Sequence, residues 1–175
     1  MYENTFPDKR FKKTLEFLES SVAPPAKVLD LGVDNPFAEI MRRNKYTVTN
    51  TSGEDLDENT EAVRNPEFDV VTAFEIFEHL VAPYNILKDI EAPKLVATVP
   101  LKLWFSNAYR SHTDMRDRHF HEFEDWQFDW LLEKAGWKIL KREKWTNPVN
   151  KIGVRPLLRK ITPRYYAVYA VRNNK

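Results

Sequence analysis

The sequence predicts an α/β fold: an open, twisted, mostly parallel sheet with helices on both faces and an antiparallel strand pair at its C-terminal end. Three observations predict it. Short apolar strands alternate with helical patterns from Lys27 onward, which implies right-handed crossovers and parallel pairing. Two of these strands, Lys27-Val-Leu-Asp-Leu-Gly-Val33 and Phe68-Asp-Val-Val-Thr-Ala-Phe-Glu-Ile-Phe-Glu-His-Leu80, run directly into glycine, acidic or aromatic residues. That is where open α/β sheets bind ligands, outside the carboxyl ends of the strands. The last two strand-like runs are joined by a Pro-rich basic stretch with no obvious helix, so they are expected to pair antiparallel. The 175 residues fit one domain, 1–175, with one sizeable core.

Each element has a local cause. Asp8 can cap a helix over Lys9–Glu19 with Phe11, Leu15 and Leu18 on one face. Ser20–Pro25 is rich in breakers, and the strand Lys27–Leu31 follows it. Asn35 before Pro36 starts a short helix to Arg43, because proline at the first helical position loses no needed N–H. Tyr46–Thr51 is a strand, Ser52–Pro66 a polar loop with at most one helical turn, and Phe68–Ala73 a strand. Pro83–Ile90 is a helix with Ile86, Leu87 and Ile90 inward, and the apolar run Lys94–Pro100 is typical of a central parallel strand. Leu101–Glu122 is a long connection, a length that usually carries function. Glu124–Ala135 is a helix, expected to present Phe123, Trp126, Trp130 and Leu131 on its inner side and to stop at Gly136. Trp137–Trp145 and Tyr165–Arg172 are the final strands.

Composition narrows the function classes. An apolar share of 42% and an aromatic share of 13% suit a folded globule rather than a disordered chain. Without cysteine there is no disulfide framework and no thiolate chemistry, and a reducing cytoplasm is the expected compartment. No apolar run approaches the roughly 20 residues of a membrane-spanning helix, and the N-terminus lacks the layout of a signal peptide. The net charge of +1 hides an asymmetry: Lys138–Lys175 holds 11 Lys/Arg and a single acid, Glu143. The basic segment Lys151–Arg164 can lie on an anionic membrane surface, hold a phosphorylated or lipid-linked acceptor, or simply be a solvated face. No base-reading motif accompanies it, which disfavours nucleic acid.

Four passages in order, Val28-Leu-Asp-Leu-Gly32, Phe68-Asp-Val-Val71 running into Glu78-His-Leu80, Leu95-Val-Ala-Thr-Val-Pro100 and Leu131-Leu-Glu-Lys-Ala-Gly-Trp137, carry a resemblance. Over Lys27–Trp145 the chain resembles the S-adenosylmethionine-dependent methyltransferases with a Rossmann-like fold, especially the ubiquinone-biosynthesis-type (methyltransferase type 11) group. The resemblance implies S-adenosylmethionine as cofactor, bound over Asp30, Gly32, Asp34, Asn50, Asp55 and Leu56, with Glu75 and Glu78 beneath the reacting end. It implies methyl transfer to an oxygen or nitrogen of a small-molecule or lipid-linked acceptor. The family's next two glycines fall on Asp34 and Pro36, its ribose-binding carboxylate falls on Asn50, and its third strand is hard to find, so a shortened version of the fold is expected. Those departures also leave open a non-catalytic relative with lost or altered cofactor binding.

The densest imidazole cluster is His119-Phe-His-Glu-Phe123, with His112 and Asp114 before it. In an extended segment His119 and His121 would face the same way. Either is then a candidate catalytic base. Two histidines and a carboxylate make only a partial metal-ligand set, so no metal is assigned, and a structural role beside the following helix stays open. His79 is expected to shape the crevice floor, while Trp104, Phe105 and Tyr109 can wall an acceptor pocket or pack in the core.

Overall fold

The computed structural model describes residues 8–148 and 152–173. Six strands form one sheet: β1 (Ala26–Asp30), β2 (Tyr46–Asn50), β3 (Val70–Phe74), β4 (Lys94–Pro100), β5 (Trp137–Thr146) and β6 (Pro163–Arg172). They lie in the order β2-β1-β3-β4-β6-β5. The first four are parallel, and β6 pairs antiparallel with both β4 and β5. Five α-helices accompany them: α1 (Asp8–Glu19), α2 (Pro36–Arg43), α3 (Pro83–Asp89), α4 (Asp125–Lys134) and α5 (Val154–Ile161). The sheet ends at β2 among the described residues, in keeping with the expected shortening.

Side-chain alternation along the strands divides the core into two layers. Val28, Val70, Val96 and Ala167 face one way and pack with Phe11, Phe17 and Leu18 of α1 and Phe37, Ala38 and Met41 of α2. Leu29, Val71, Leu95 and Val168 face the other way and pack with Ile86 and Leu87 of α3 and Phe128 and Leu132 of α4. Strands buried on both faces explain the near-continuous apolar runs in the sequence.

Local chemistry sets the boundaries. The Asn35 side chain accepts from the Phe37 and Ala38 amides at 2.9 and 3.1 Å, and Pro36 opens α2. Arg172 closes the opposite end of the molecule. Its guanidinium donates to carbonyls of Lys88, Ile90 and Ala135 and lies over the Trp137 ring, 4.2 Å from the centroid.

Three expectations are corrected. The strand expected over Phe68–Ala73 runs instead over Val70–Phe74, which brings Phe74 into the sheet opposite Thr98. Trp126 and Trp130 are 44% and 65% exposed and rest on each other, so they are not on the inner side of α4. Phe128, Leu131, Leu132 and Ala135, spaced i, i+3, i+4 and i+7, form the inward stripe, and bulky aromatics a half-turn away gave a false signal. The stretch between β5 and β6 contains α5, read from sequence as lacking a helix. Pro156 looked like a breaker, but it sits in the first turn, where backbone N–H groups have no partner within the helix. The antiparallel pairing of β5 and β6 is nevertheless as expected. Lys151 of the basic segment lies outside the described residues.

The orientation of α4 is testable by urea unfolding. Phe128→Ala is expected to cost about 3–5 kcal/mol, whereas Trp130→Ala should stay within about 0.5 kcal/mol. The reverse ranking would put the tryptophan face inward.

Candidate active site at the parallel strand ends

From β1 the chain moves to β2 on one side and then to β3 on the other, so the strand order reverses at β1. Parallel sheets open a crevice at such a point. Asp30 ends β1 opposite Asn50 of β2 and Thr72 of β3. Its carboxylate is 3% exposed and accepts from Thr72 Oγ1 at 2.6 Å and Asn50 Nδ2 at 3.1 Å. Burial pushes the Asp30 carboxyl up to about 6, against the opposing pull of Thr72, Asn50, Asn35 and Arg42. Asp30 therefore orders the turn. It ties together the ends of three strands.

The turn beyond it is held from β2. Thr51 Oγ1 accepts from the Gly32 amide at 2.7 Å, and Asn50 Nδ2 also donates to the Gly32 carbonyl at 3.3 Å. Gly32 adopts φ +113°, and a Cβ there would lie 3.4 Å from Ile76 Cδ1. A side chain would be strained by the backbone and pressed against the residue after Glu75. The tips of β1 and β3 are thus in contact through the Gly32 turn and Ile76. Asn50 Oδ1 accepts from Arg42 Nη2 at 2.9 Å, and the same nitrogen pairs with Asp34 at 2.8 Å. Asp34 is exposed, but its charge faces a guanidinium. Asp55 accepts from the Asp57 amide at 3.0 Å in a local turn, while Leu56 is buried in the core.

The second wall comes from β3 and β4. Glu75 follows β3 with φ +60°, a left-handed conformation that costs a non-glycine residue about 1–3 kcal/mol. Its amide donates to the Thr98 carbonyl and its Oε1 accepts from Thr98 Oγ1, both at 3.0 Å. Burial raises the Glu75 carboxyl, while Arg10, the Thr98 bond and Arg164 oppose the rise. Glu78 is 1% exposed, and burial together with the nearby Glu75 charge holds its carboxyl well above the usual range. Glu78 Oε2 has no hydrogen-bond partner.

The 101–122 connection folds onto this wall. The Phe120 and His121 amides both donate to the Glu78 carbonyl, at 2.8 and 3.2 Å. Both candidate bases therefore lie along the 79–81 stretch, His119 against His79 and His121 beside the Val81 carbonyl. His119 packs edge-on against His79 with ring centroids 4.7 Å apart and lies beside Tyr109. Its Nδ1 is buried without a hydrogen-bond partner. Burial, then His79, lowers His119 to about 4, so its imidazole is neutral at pH 7. His121 instead stacks on Phe123, with Nε2 at 3.2 Å from the Val81 carbonyl. Glu78, His79 and His119 each offer one metal-ligand atom, all within 4.8 Å of one another.

A cavity of about 470 Å³ opens beside the wall, bounded by Phe105, Tyr109, Arg110, Arg155, Arg159 and Arg164. Phe105 and Tyr109 line it together with these arginines, whereas Trp104 points largely to solvent. Arg164 connects the two regions, since it also acts electrostatically on Glu75, Glu78 and His119. Sequence reasoning missed Arg42, Thr51, Thr72 and Arg164. Thr51, Thr72 and Arg164 act on partners far along the chain, and Arg42 reaches Asn50 and Asp34 only once α2 packs beside β2.

The sequence matches the family described as a methyltransferase domain over residues 4–142. No curated protein matches the chain by sequence. Among solved structures, it is similar to an S-adenosylmethionine-dependent methyltransferase from Archaeoglobus fulgidus (TM-score 0.65, 15% identity, 94% of each chain). It is similar to the [4+2]-cyclase SpnF (TM-score 0.65, 14% identity, 99% of this chain and 84% of that one). It also resembles the N-terminal domain of EvdMO1 with S-adenosylhomocysteine bound (TM-score 0.54, 13% identity, 94% of this chain and 81% of that one). The fold is the one shared by S-adenosylmethionine-dependent methyltransferases, and S-adenosylmethionine is the cofactor that the family and fold imply.

The raised Asp30 carboxyl has a definite sign in stability. Between its ordinary value of 3.8 and about 6 the unfolded chain releases the proton while the folded one keeps it. This group's contribution is therefore complete below pH 3.8 and is lost as pH rises through 6. Wild type should lose about 3 kcal/mol relative to Asp30→Asn across that window, measured by denaturant unfolding at stepped pH. A pH-independent difference would contradict the burial argument.

Proposed function

We propose, from the premise that the chain belongs to the methyltransferase-domain family, that it transfers a methyl group from S-adenosylmethionine to an oxygen or nitrogen of a small or lipid-linked acceptor. The observation that carries this reading is the reversal of strand order at β1, where the Gly32 turn and the end of β3 meet beside Ile76, a place at which parallel sheets bind ligands. We infer the ubiquinone-biosynthesis-type group as the nearer relation, on the Glu78-His79-Leu80 passage, and the cytoplasm as its compartment. No helix among the described residues is long and apolar enough to cross a membrane.

The residues present fit the cofactor. The Gly32 turn offers backbone free of a side chain, and Asn50, whose Nδ2 donates to Asp30 and Gly32, keeps one Oδ1 lone pair beside Arg42 for an incoming hydroxyl. An amide can hydrogen-bond a ribose diol, though without the charge assistance a carboxylate provides. Asp34 and Asp55 line the neighbouring turns, and Arg42 offsets the Asp34 charge that would otherwise repel a methionine carboxylate. Bound S-adenosylmethionine supplies an electrophilic methyl on a sulfonium. Glu75 and Glu78 place carboxyl oxygens beneath the reacting end, and because burial makes both hold their protons more tightly, an approaching sulfonium would favour release of a proton from the pair.

Transfer from a sulfonium is an in-line displacement, so positioning supplies much of the rate. His119, neutral at pH 7, can accept a hydrogen bond from an acceptor hydroxyl or amine, its lowered proton affinity making it a weak base, whereas His121 is engaged with Val81 and Phe123. The four arginines around the cavity suit an acceptor that carries a phosphate or carboxylate. On α5, exposed Val154, Leu157 and Ile161 lie next to Arg155, Arg159 and Lys160, which suits an anionic membrane surface presenting a lipid-linked acceptor. Nucleic acid remains disfavoured, with no base-reading motif.

Calorimetric titration with S-adenosylmethionine and S-adenosylhomocysteine tests the reading: micromolar binding is expected, and no heat up to millimolar ligand would favour a non-catalytic module. Asp34→Gly is expected to tighten binding, because it removes a carboxylate and frees Arg42 while leaving Asn50 in place. Weaker binding would mean that Asp34 itself holds the ligand.

A further inference from the structure

We propose that Glu78, His79 and His119 form a binding site for one divalent transition-metal cation. The site goes beyond methyl transfer, and the binding would hold whatever reaction the crevice supports.

The three residues come from two segments about 40 positions apart that the fold brings together. Glu78 and His79 sit on a short helical turn after β3, Phe77–His79, and His119 is carried onto them by the 101–122 connection. The Phe120 amide, bonded to the Glu78 carbonyl at 2.8 Å, fixes the approach. One ligand-type atom from each lies within 4.8 Å of the others. His79 Nε2 is 3.8 Å from Glu78 Oε1. That is too long for a hydrogen bond, yet it is close to the roughly 3.4 Å between two ligands bound to a common ion through bonds of about 2.1 Å.

Two buried polar atoms make the same point independently. Glu78 Oε2 and His119 Nδ1 have no hydrogen-bond partner, and Glu78 is 1% exposed. Buried polar atoms are nearly always satisfied, and each exception needs a cause. A carboxylate and an imidazole nitrogen left unpaired side by side are what a cation would satisfy together. The outer contacts agree. The Arg118 carbonyl lies 3.1 Å from His79 Nδ1, and because a carbonyl only accepts, Nδ1 carries the proton. The lone pair is then on Nε2, the nitrogen nearer Glu78, as a metal-binding histidine oriented by an outer partner requires. Two imidazoles and one carboxylate suit Mn²⁺, Fe²⁺, Co²⁺ or Zn²⁺ better than Mg²⁺ or Ca²⁺, which prefer all-oxygen sets. Three protein ligands leave positions open for water or an oxygen of a bound molecule.

The test uses full-length, tag-free protein stripped with chelator and titrated calorimetrically with Mn²⁺ and Zn²⁺, with Mg²⁺ for comparison. One equivalent of Mn²⁺ or Zn²⁺ is expected to bind, more tightly than Mg²⁺. Pulsed paramagnetic resonance of the Mn²⁺ form should show nitrogen coupling, lost or halved in His119→Ala. Affinity should fall by at least about tenfold in His119→Ala and in Glu78→Gln, the range already reached when an outer partner is lost. His121→Ala should bind as wild type does. Glu78→Gln keeps the side-chain shape, so its result stands if the histidine variant fails to fold. Absence of saturable binding to wild type, or equal affinity in wild type and Glu78→Gln, would overturn the proposal.

Discussion

The site depends on a buried carboxylate that joins three strand ends. Asp30 accepts from Thr72 on one side and Asn50 on the other, so β1, β2 and β3 end in register around one acid. Burying that acid is costly, as its raised carboxyl indicates, and the hydrogen bonds from both neighbours offset part of the cost. The result is a rigid frame from which Gly32 can turn with positive φ and Asn50 can present its amide. Thr51 and Arg42 complete the frame, holding the Gly32 amide and the Asn50 side-chain carbonyl oxygen respectively.

The opposite wall uses a different device. Glu75 is held in a left-handed conformation by two bonds to Thr98, one from its amide and one to its carboxylate. That geometry ties the Glu75 carboxylate to β4 and leads into the helical turn that buries Glu78. Burial raises both carboxyls and the Glu75 charge raises Glu78 further, and such perturbation concentrates at functional sites. The 101–122 connection bonds to the Glu78 carbonyl, so its histidines and the arginine-lined cavity lie beside the same wall. The strand ends and the arginine-lined cavity are neighbours because the 101–122 connection, which lines the cavity, is bonded to Glu78 beyond β3.

Much of this architecture was legible in the sequence, for physical reasons that differ by element. The parallel strands stood out because residues buried on both faces must be apolar along their whole length. The α2 start was visible because Asn35 and Pro36 act on their own backbone. The position of Asp30, Gly32, Glu75 and Glu78 at strand ends followed from the same pattern. What failed was information carried by partners distant in sequence. The docking of His119 against His79 and of His121 beside Val81 depended on amides bonding to Glu78, about 40 residues earlier. Arg42 as partner of Asn50 and Asp34 required α2 to be packed beside β2. Large side chains also misled, as the exposed Trp126 and Trp130 show, and a first-turn proline concealed α5.

The central claim is that the tips of β1 and β3 frame one cofactor pocket. The most direct measurement is amide chemical-shift mapping of isotopically labelled protein during addition of S-adenosylhomocysteine. The account predicts that the largest shifts fall on Gly32, Asn50, Thr51 and Glu75, on both walls of the crevice. Shifts confined to the arginine-lined cavity, or to one wall alone, would contradict it.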